Sequence, residues 1–431
     1  MISSSFRMLA PCRSYLKDAL SAKKFYKIAD KQVHFSLTQY PLRMFSTKEN
    51  EIFRALSVQD TINKLVDEGY LVPTKRISHE AVNTVEQKIR KELSITDLKF
   101  DIKQLSALMR FFGLREKGSA EFHNILQGKI LETFKSITPE DCSEAIEIIQ
   151  GMQVANFASK SHYSELLSIL LSNIEADKIN ANHKIQLLSL YSELNCLSQE
   201  AFLTLFKSLD LFDLTAVDTS QLIDALWAVA LQICNDQSRL EFLDDTDVLN
   251  RIEVITVEID SRLSNSKPAL TPRSKLRALE SIAIIFSQDV DFKTRNELFK
   301  AISTINKLGV SLQHNNPRTS YLQDDINAVL NVMKIPLETE KVISNYRIDF
   351  FLPPRTILEV NGPSHFVGGK KSNCEDADLD GKTVIKNYVL KKILLHQLVT
   401  ITHFEWYAQK GLTEKKRFLS EKLGLSEKLG L

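Results

Sequence analysis

Apolar residues recur at every third or fourth position through most of residues 50–335, which is the spacing that buries one face of a helix. Four segments share this pattern: LSALMRFFG (105–113), EAIEIIQGMQVA (144–155), KIQLLSLYSEL (184–194) and QLIDALWAVALQ (221–232). A second amphipathic segment follows each of the first three: AEFHNILQGKILETF (120–134), HYSELLSILLSNI (162–174) and QEAFLTLFKSLDLF (199–212). Successive starts are roughly 35 to 42 residues apart, which predicts a helical-repeat-like array over residues 50–263. Because the period is loose, a non-repeating helical bundle is the alternative.

The pattern changes near residue 316. The segments that follow predict a helix, two strands, a helix, a strand and a helix: PRTSYLQDDINAVLNVMK (317–334), NYRIDFFLP (345–353), RTILEVNGP (355–363), GKTVIKNYVLKKILLHQ (381–397), LVTITHFEW (398–406) and LTEKKRFLSEKLG (412–424). This order predicts a small α/β domain over residues 316–424. The predicted fold class is therefore mostly α, with a small C-terminal α/β domain after the array.

Two shorter regions complete the predicted organisation. Residues 264–315 are assigned to a linker and further helices, because SNSKPALTPRSK (264–275) carries two prolines among small polar residues. Residues 425–431 are assigned to a C-terminal tail. Residues 235–250 are expected to connect two helices.

The first 45 residues have the composition of a mitochondrial transit peptide. Residues 1–48 hold nine Lys or Arg, two Asp and no Glu, and they lack the apolar run of a secretory signal. Arg43 lies three residues before Ser46, which resembles the cleavage pattern of matrix presequences. We therefore expect the protein in the mitochondrial matrix. A disordered basic tail is the alternative.

The net charge of +1 conceals an uneven distribution. Residues 49–340 carry a net charge of −11, whereas residues 1–48 carry +7 and residues 341–431 carry +5. The five cysteines are scattered without a CxxC pair, which argues against a structural zinc site or a disulfide framework. No membrane span is expected, because every apolar run is shorter than the ~18 residues that a spanning helix needs.

Four blocks within residues 345–408 carry a resemblance to a known family. They are YRIDFFLP, ILEVNGPSHF, the helix with Thr383, Lys386 and Leu390, and the apolar stretch that ends in Glu405-Trp406. Together they resemble a RAP domain, which also closes the FAST kinase family of mitochondrial RNA proteins and some organellar factors of parasites, algae and plants. The resemblance implies organellar RNA binding by a domain that follows a helical array. The partners that it implies are mitochondrial mRNA or rRNA and proteins of the mitochondrial ribosome or of RNA processing.

RAP domains are also similar to restriction-endonuclease-like folds, in which two carboxylates hold a divalent metal and a lysine positions the attacking water. Asp349 and Glu359 occupy the carboxylate positions. The lysine position holds the neutral Asn361, although His365 or Lys386 could take over its role. We therefore expect a non-catalytic protein without a cofactor. A metal-dependent endoribonuclease is the alternative, with Asp349, Glu359 and His365 as its site and the two carboxylates as metal ligands.

Basic and aromatic side chains of the domain are candidates for contacts with RNA phosphates and bases. The candidate RNA-binding residues are His365, Phe366, Lys370, Lys371, Lys382, Lys386, Lys391 and Lys392. Tyr388 and the basic run at 415–417 are further candidates, whereas Trp406 is expected to anchor the core.

Transcript or rRNA processing, RNA stability or ribosome assembly is the expected role. The acidic middle region supports a second hypothesis, because helical arrays that follow RNA are usually basic. In that alternative the protein is a protein-interaction scaffold of a mitochondrial (ribosomal) assembly.

Overall fold

The computed structural model describes residues 46–67, 77–95, 100–113, 118–211, 214, 217–235, 241–265, 268–288, 320–369 and 378–425. The expected transit peptide (1–45) and most of the expected tail (425–431) lie outside the described residues. The chain divides into two compact units, and the division falls between Ile179 and Asn180. The domain boundaries expected from the sequence stay predictions.

The described residues before Asn180 are helical. Their helices are α1 (Ser46–Ala55), α2 (Val58–Asp67), α3 (His79–Ile95), α4 (Ile102–Gly113), α5 (Ala120–Phe134), α6 (Cys142–Ala155) and α7 (Lys160–Asn173). Alternate helices pack against each other, α4 against α6 and α5 against α7. This is the arrangement of stacked helical hairpins, and it agrees with the predicted repeat-like array.

Two glycines set the close packing of α4 against α6. A Cβ atom on Gly113 would lie 2.5 Å from the carbonyl oxygen of Gly151, and a Cβ on Gly151 would lie 2.5 Å from the carbonyl oxygen of Met109. Any side chain at either position would collide with backbone. The two helix backbones can therefore approach this closely only because both positions are glycine.

The second unit begins with five more helices. They are α8 (Ala181–Glu193), α9 (Gln199–Lys207), α10 (Thr219–Asn235), α11 (Thr246–Asn265) and α12 (Pro272–Ile285). Helix α10 is apolar around its circumference and packs against α8, α11 and α12, so it forms the centre of this part of the core. Among the described residues, no helix combines the length and apolar composition that a membrane span requires.

The C-terminal α/β segment follows in the same unit. It contains α13 (Tyr321–Val332), β1 (Glu338–Ile343), β2 (Tyr346–Leu352), β3 (Thr356–Asn361), α14 (Gly381–Tyr388), a π-helical turn (Val389–Ile393), β4 (Gln397–Thr402), α15 (His403–Ala408) and α16 (Leu412–Lys422). The strand order is β1-β2-β3-β4, with antiparallel pairing except between β3 and β4. Helix α14 makes the crossover that a parallel pair needs.

Alternation along β3 separates the two faces of the sheet. Leu358 and Val360 join a core with α13, α15 and α16. Trp406 lies in this core with 0% exposure, and its Nε1 donates to Oδ2 of Asp325 at 2.8 Å. The expectation that Trp406 anchors the core is confirmed. The opposite face of β3 carries Glu359 toward α14.

The α/β segment is docked on the helices of its own unit. Buried Glu280 of α12 accepts hydrogen bonds from Tyr346 Oη at 2.8 Å and from Trp227 Nε1 at 2.9 Å. A Cβ on Gly381, at the start of α14, would lie 2.1 Å from the carbonyl oxygen of Ser192 in α8. These contacts make the segment one packed body with α8, α10 and α12.

Two of the expected elements differ from the structure. The stretch expected to be a strand through residue 406 becomes helical at His403, because Thr402 and Glu405 form a capping box that starts α15. Strand β1 was missed, because its sequence ETEKVI lacks an apolar alternation and it lies at the edge of the sheet.

The expected helix connections are shorter than the sequence indicated. Helix α11 already begins at Thr246, within the stretch 235–250, and it extends to Asn265. Helix α12 begins at Pro272, with the Thr271 side chain accepting a hydrogen bond from the Ser274 amide. A Thr-Pro pair is therefore a helix start here rather than part of an extended linker.

Candidate nucleic-acid interface

Asp349 and Glu359 lie on the neighbouring strands β2 and β3. Oδ2 of Asp349 accepts a hydrogen bond from the backbone N–H of Val360 at 2.6 Å. Its Oδ1 accepts one from Nε2 of Gln323 in the first turn of α13. Both oxygens of Asp349 are therefore engaged in holding β2 to β3 and to α13, and Gln323 is a partner that the sequence did not reveal.

Glu359 is buried and paired with Lys386 of α14. Nζ of Lys386 lies 2.6 Å from Oε2 of Glu359 and 3.0 Å from the carbonyl oxygen of Arg347. Glu359 is 3% exposed, and its Oε1 has no hydrogen-bond partner among the described residues. Burial raises the pKa of Glu359 to about 7, with Lys386 opposing the rise and Asp349 adding to it. Lys386 thus supplies beside Glu359 the positive charge that Asn361 lacks.

Three of the four carboxylate oxygens of Asp349 and Glu359 are engaged in contacts within the protein. Metal ligation needs deprotonated carboxylates with free oxygens, but Asp349 has both oxygens bonded and Glu359 has one bonded to Lys386. Where the structure describes the chain, no three His, Cys, Asp or Glu side chains are grouped to hold a metal ion. What the pair provides in this geometry is a contact between α14 and β3.

His365 and Phe366 follow β3, in and after the short turn at residues 363–365. Nδ1 of His365 lies 3.0 Å from Oγ1 of Thr383, and burial lowers the pKa of this histidine. Phe366 is 4% exposed, and its ring contacts the rings of His403 and Phe404. The half-buried His365 and the buried Phe366 would have to move before either ring could stack on a base.

The predicted lysines fall into three groups. Lys370 and Lys371 lie outside the described residues. Lys386 is paired with Glu359, and exposed Lys382 has its Nζ 3.8 Å from Oε2 of Glu193. The remaining two, Lys391 and Lys392, are exposed on the π-helical turn after α14.

The other candidates are also divided. Tyr388 is half-buried, and its hydroxyl accepts a hydrogen bond from Gln288 at 3.3 Å. Lys415 binds Asp325 at 2.6 Å, and Arg417 lies 3.8 Å from Glu421. Lys391 and Lys392, by contrast, are exposed and have no ion-pair partner within the part of the chain that the structure describes.

Comparison with known families agrees with the motifs that the strands carry. The family model of the RAP domain matches residues 358–422, from β3 to the end of α16. This region is a RAP domain. The match begins within TILEVNGPSHF and includes α14, β4 and the tryptophan that anchors the core. The comparison with curated proteins found no match to the chain.

RAP domains are generally RNA-binding domains, and the match therefore supports RNA binding by this chain. The RAP region also includes Lys386 and both exposed lysines of the π-helical turn. By contrast, β2 with Asp349 precedes the matched residues. The complete sheet and its carboxylate pair therefore include residues that precede the matched region.

Proposed function

We propose that this chain is a mitochondrial RNA-binding protein that acts without catalysis in the processing or stability of organellar transcripts or rRNA, or in ribosome assembly. The observation that carries the proposal is the RAP domain at residues 358–422, which ends a mostly helical chain. The basic, glutamate-free composition of residues 1–48 supports import into the matrix. The cellular partner is then mitochondrial mRNA or rRNA.

The bonding of the carboxylates supports a role without catalysis. In a metal-dependent nuclease, carboxylate oxygens face the metal and the reacting phosphate. Here the oxygens of Asp349 hold secondary structure together, and Glu359 is buried against Lys386. A metal-dependent endoribonuclease would have to break these contacts first. Cleavage of mitochondrial RNA that needs Mg²⁺ and is lost in Glu359→Ala would overturn the non-catalytic proposal.

Crosslinking of the tagged full chain to RNA in intact cells, followed by sequencing of the recovered RNA, tests the main proposal. We expect mitochondrial transcripts or rRNA to be enriched over an untagged control. Recovery of no RNA above the control would contradict RNA binding. Recovery of cytosolic RNA alone would contradict the organellar assignment.

Import can be tested separately from RNA binding. Residues 1–50 fused to a fluorescent protein should direct it to mitochondria. A matched fusion with Arg7, Arg13 and Lys17 changed to Glu should remain in the cytosol, because the reversed charge opposes the membrane potential. Equal cytosolic signal from both fusions would remove the support for matrix localisation.

The acidic middle region favours a second function, an interaction scaffold in a mitochondrial assembly. Residues 49–340 carry −11, so the RAP domain would be the RNA contact while the helices bind protein. Purification of the complex with and without ribonuclease distinguishes the two functions. Protein partners that persist after ribonuclease support the scaffold, whereas partners that all leave with the RNA support the main proposal.

A further inference from the structure

Strands β3 and β4 start side by side, and the turns that lead into them are joined. The carbonyl oxygen of Arg355 accepts a hydrogen bond from the backbone N–H of Gln397 at 3.1 Å, and it lies 3.3 Å from Nδ1 of His396. Oγ1 of Thr356 donates to Oε1 of Gln397 at 3.0 Å. This end of the parallel pair is therefore a fixed surface formed by two chain segments that are distant in sequence.

Three exposed cations lie on these two segments. Arg355 precedes β3, and Lys391 and Lys392 lie on the π-helical turn before β4. Neither residues 353–356 nor residues 389–397 contain an Asp or Glu. Within the described residues, none of the three cations has an ion-pair partner. Their charges are thus available to phosphates.

The backbone beneath the lysines is held in place. Val389 and Leu390 of the π-helical turn are both 0% exposed, so they anchor the turn in the core. The backbone N–H of Leu394 donates to Val389 at 2.9 Å, and that of His396 donates to Leu390 at 3.0 Å. π-helical turns are rare and are often found at functional sites. The positions of the two lysines need little ordering when a ligand binds.

An apolar group and a ring adjoin the cations. Leu395 is 45% exposed, although it is a leucine in a left-handed conformation with φ of 58°. The ring of His396 packs edge-on against Phe351, at 6.2 Å between centroids. Unpaired bases bind to apolar and ring surfaces next to phosphate contacts, whereas a duplex hides its base faces. The combination therefore fits a single strand.

The region around Asp349 and Glu359 has much less unpaired positive charge for a phosphate. Lys386 is neutralised there by Glu359, and Arg347 lies 3.6 Å from Glu340. Burial and the nearby charge of Asp349 raise the pKa of Glu340, as expected where acidic groups gather. The positive field of the RAP domain is therefore weaker around the nuclease-like carboxylates than at the start of β3 and β4.

We propose that Arg355, Lys391, Lys392, Leu395 and His396 form the surface that binds single-stranded RNA, which we call the strand-start surface. This inference rests on the proposed RNA-binding function and specifies where that function is located. It places the bound strand at the beginning of β3 and β4 rather than around Asp349 and Glu359. Sequence analysis alone identified only the two lysines of this surface.

The test measures binding of fluorescently labelled polyuridine to the full chain over a range of salt concentrations. The test variant is Arg355→Gln/Lys391→Gln/Lys392→Gln. The matched control, Lys135→Gln/Lys334→Gln/Lys410→Gln, removes the same charge at exposed positions that belong neither to the strand-start surface nor to the RNA-binding candidates. If each cation of the strand-start surface contacts one phosphate, the test variant should lower the slope of log affinity against log salt by about 2. The control should keep the slope of the unmodified chain.

The outcomes separate this inference from the function on which it rests. An unmodified chain that binds no polyuridine or mitochondrial RNA would overturn both. An unmodified chain that binds RNA, with a test variant that binds equally well or a control that loses as much, would overturn the surface alone. In competition, unlabelled single strands should displace the probe better than the same sequence in a duplex. Equal displacement would contradict the preference for single strands.

Discussion

Glu280 is a carboxyl group buried between α10, α12 and β2. Burial raises its pKa from 4.5 to about 7, while hydrogen bonds from Tyr346 and Trp227 and the charge of Arg277 oppose the rise. The folded chain therefore holds this proton more tightly than the unfolded chain. The resulting stabilisation is fully present below about pH 4.5 and is lost as the pH rises through about 7.

Replacing Glu280 by Gln should remove this dependence on pH. The new side chain can accept from Trp227 Nε1 through its oxygen and donate to Tyr346 Oη through its amide. At pH 8 we expect Glu280→Gln to have a higher free energy of unfolding than the unmodified chain, and at pH 5 we expect the two values to be close. The advantage of the variant should grow by up to ~3 kcal/mol between pH 5 and pH 8. Urea denaturation at both pH values measures this.

The control for that experiment is Glu280→Ala. It removes the titrating group and also leaves Tyr346 and Trp227 without their acceptor. It should destabilise the fold at both pH values, because buried donors would be left unpaired. If the difference between Glu280→Gln and the unmodified chain is the same at pH 5 and pH 8, Glu280 does not titrate in this range.

The pair of Lys386 and Glu359 predicts a second pH-dependent effect. Replacing Lys386 by Met removes the donor to Oε2 of Glu359, so the buried carboxylate should become costlier at high pH. We expect a loss of ~2–4 kcal/mol of unfolding free energy at pH 8, and a smaller loss at pH 5, where Glu359 is protonated. Urea denaturation of Lys386→Met, Glu359→Gln and the double variant measures the interaction.

The double variant distinguishes loss of the charge interaction between Lys386 and Glu359 from general damage to the packing. Lys386→Met/Glu359→Gln lacks both charges, so at pH 8 it should be more stable than Lys386→Met alone. If the loss of stability in the double variant equals the sum of the losses in the two single variants, the pair has no energetic coupling. RNA binding should persist in the double variant if the strand-start surface is the contact.

The candidate residues show what could be predicted at this scale. Asp349 and Glu359 followed from two strand-like runs with carboxylates at matching places, because alternation and turn residues are local signals. The partners of these carboxylates, Gln323 and Lys386, come from helices outside both strands. Pairing at such distance in sequence depends on the packed fold, and a single sequence carries no local signal for it. For the same reason, the burial of Phe366 could not be predicted from the sequence.

At the scale of elements, helices were easier to predict than sheet edges. The long amphipathic segments of α4 to α10 repeat one burial pattern over many residues. Strand β1 is short and polar, and its existence depends on pairing with β2. Helix α15 did have a local signal, since Thr402 and Glu405 are spaced as a capping box, but the apolar run before them favoured a continued strand.

The close packing of α4 and α6 predicts the effect of a single methyl group. Gly151→Ala would place Cβ 2.5 Å from the carbonyl oxygen of Met109, so the helices must separate. We expect a loss of ~1–3 kcal/mol of unfolding free energy, measured by thermal or urea denaturation. Helix propensity alone would favour alanine.

Gly128→Ala is the matched control for that variant. Gly128 lies inside α5 on an exposed position, and a Cβ there meets no atom within 4 Å. This variant should gain ~0.5–1 kcal/mol, because alanine has the higher helix propensity. Opposite signs for the two substitutions would support the contact between α4 and α6. A gain for both would show that the helices are not in close contact at Gly151.

At the scale of the whole unit, the RAP domain does not stand apart from the preceding helices. Nδ2 of Asn195 donates to the carbonyl oxygen of Leu379 at 3.0 Å, and Tyr346 inserts its hydroxyl against Glu280. A fragment that contains only the α/β segment would expose these buried groups. RNA-binding experiments therefore need the full chain. No sequence pattern predicted this docking, because the residues of each contact lie more than 60 positions apart in the sequence.

Gly381 is the residue that tests the docking with the least disturbance. A Cβ at Gly381 would lie 2.1 Å from the carbonyl oxygen of Ser192 and 3.2 Å from Cδ2 of Leu231, so Gly381→Ala should displace α14 from α8 and α10. We expect faster amide hydrogen exchange in α14, α8 and β2, while the amides of α13 and α16 around Trp406 stay protected. The control is Gly362→Ala, because Gly362 has a φ of −75° and no atom within 4 Å of an added Cβ. Equal exchange in α8 for both variants would show that the α/β segment keeps its position without this contact.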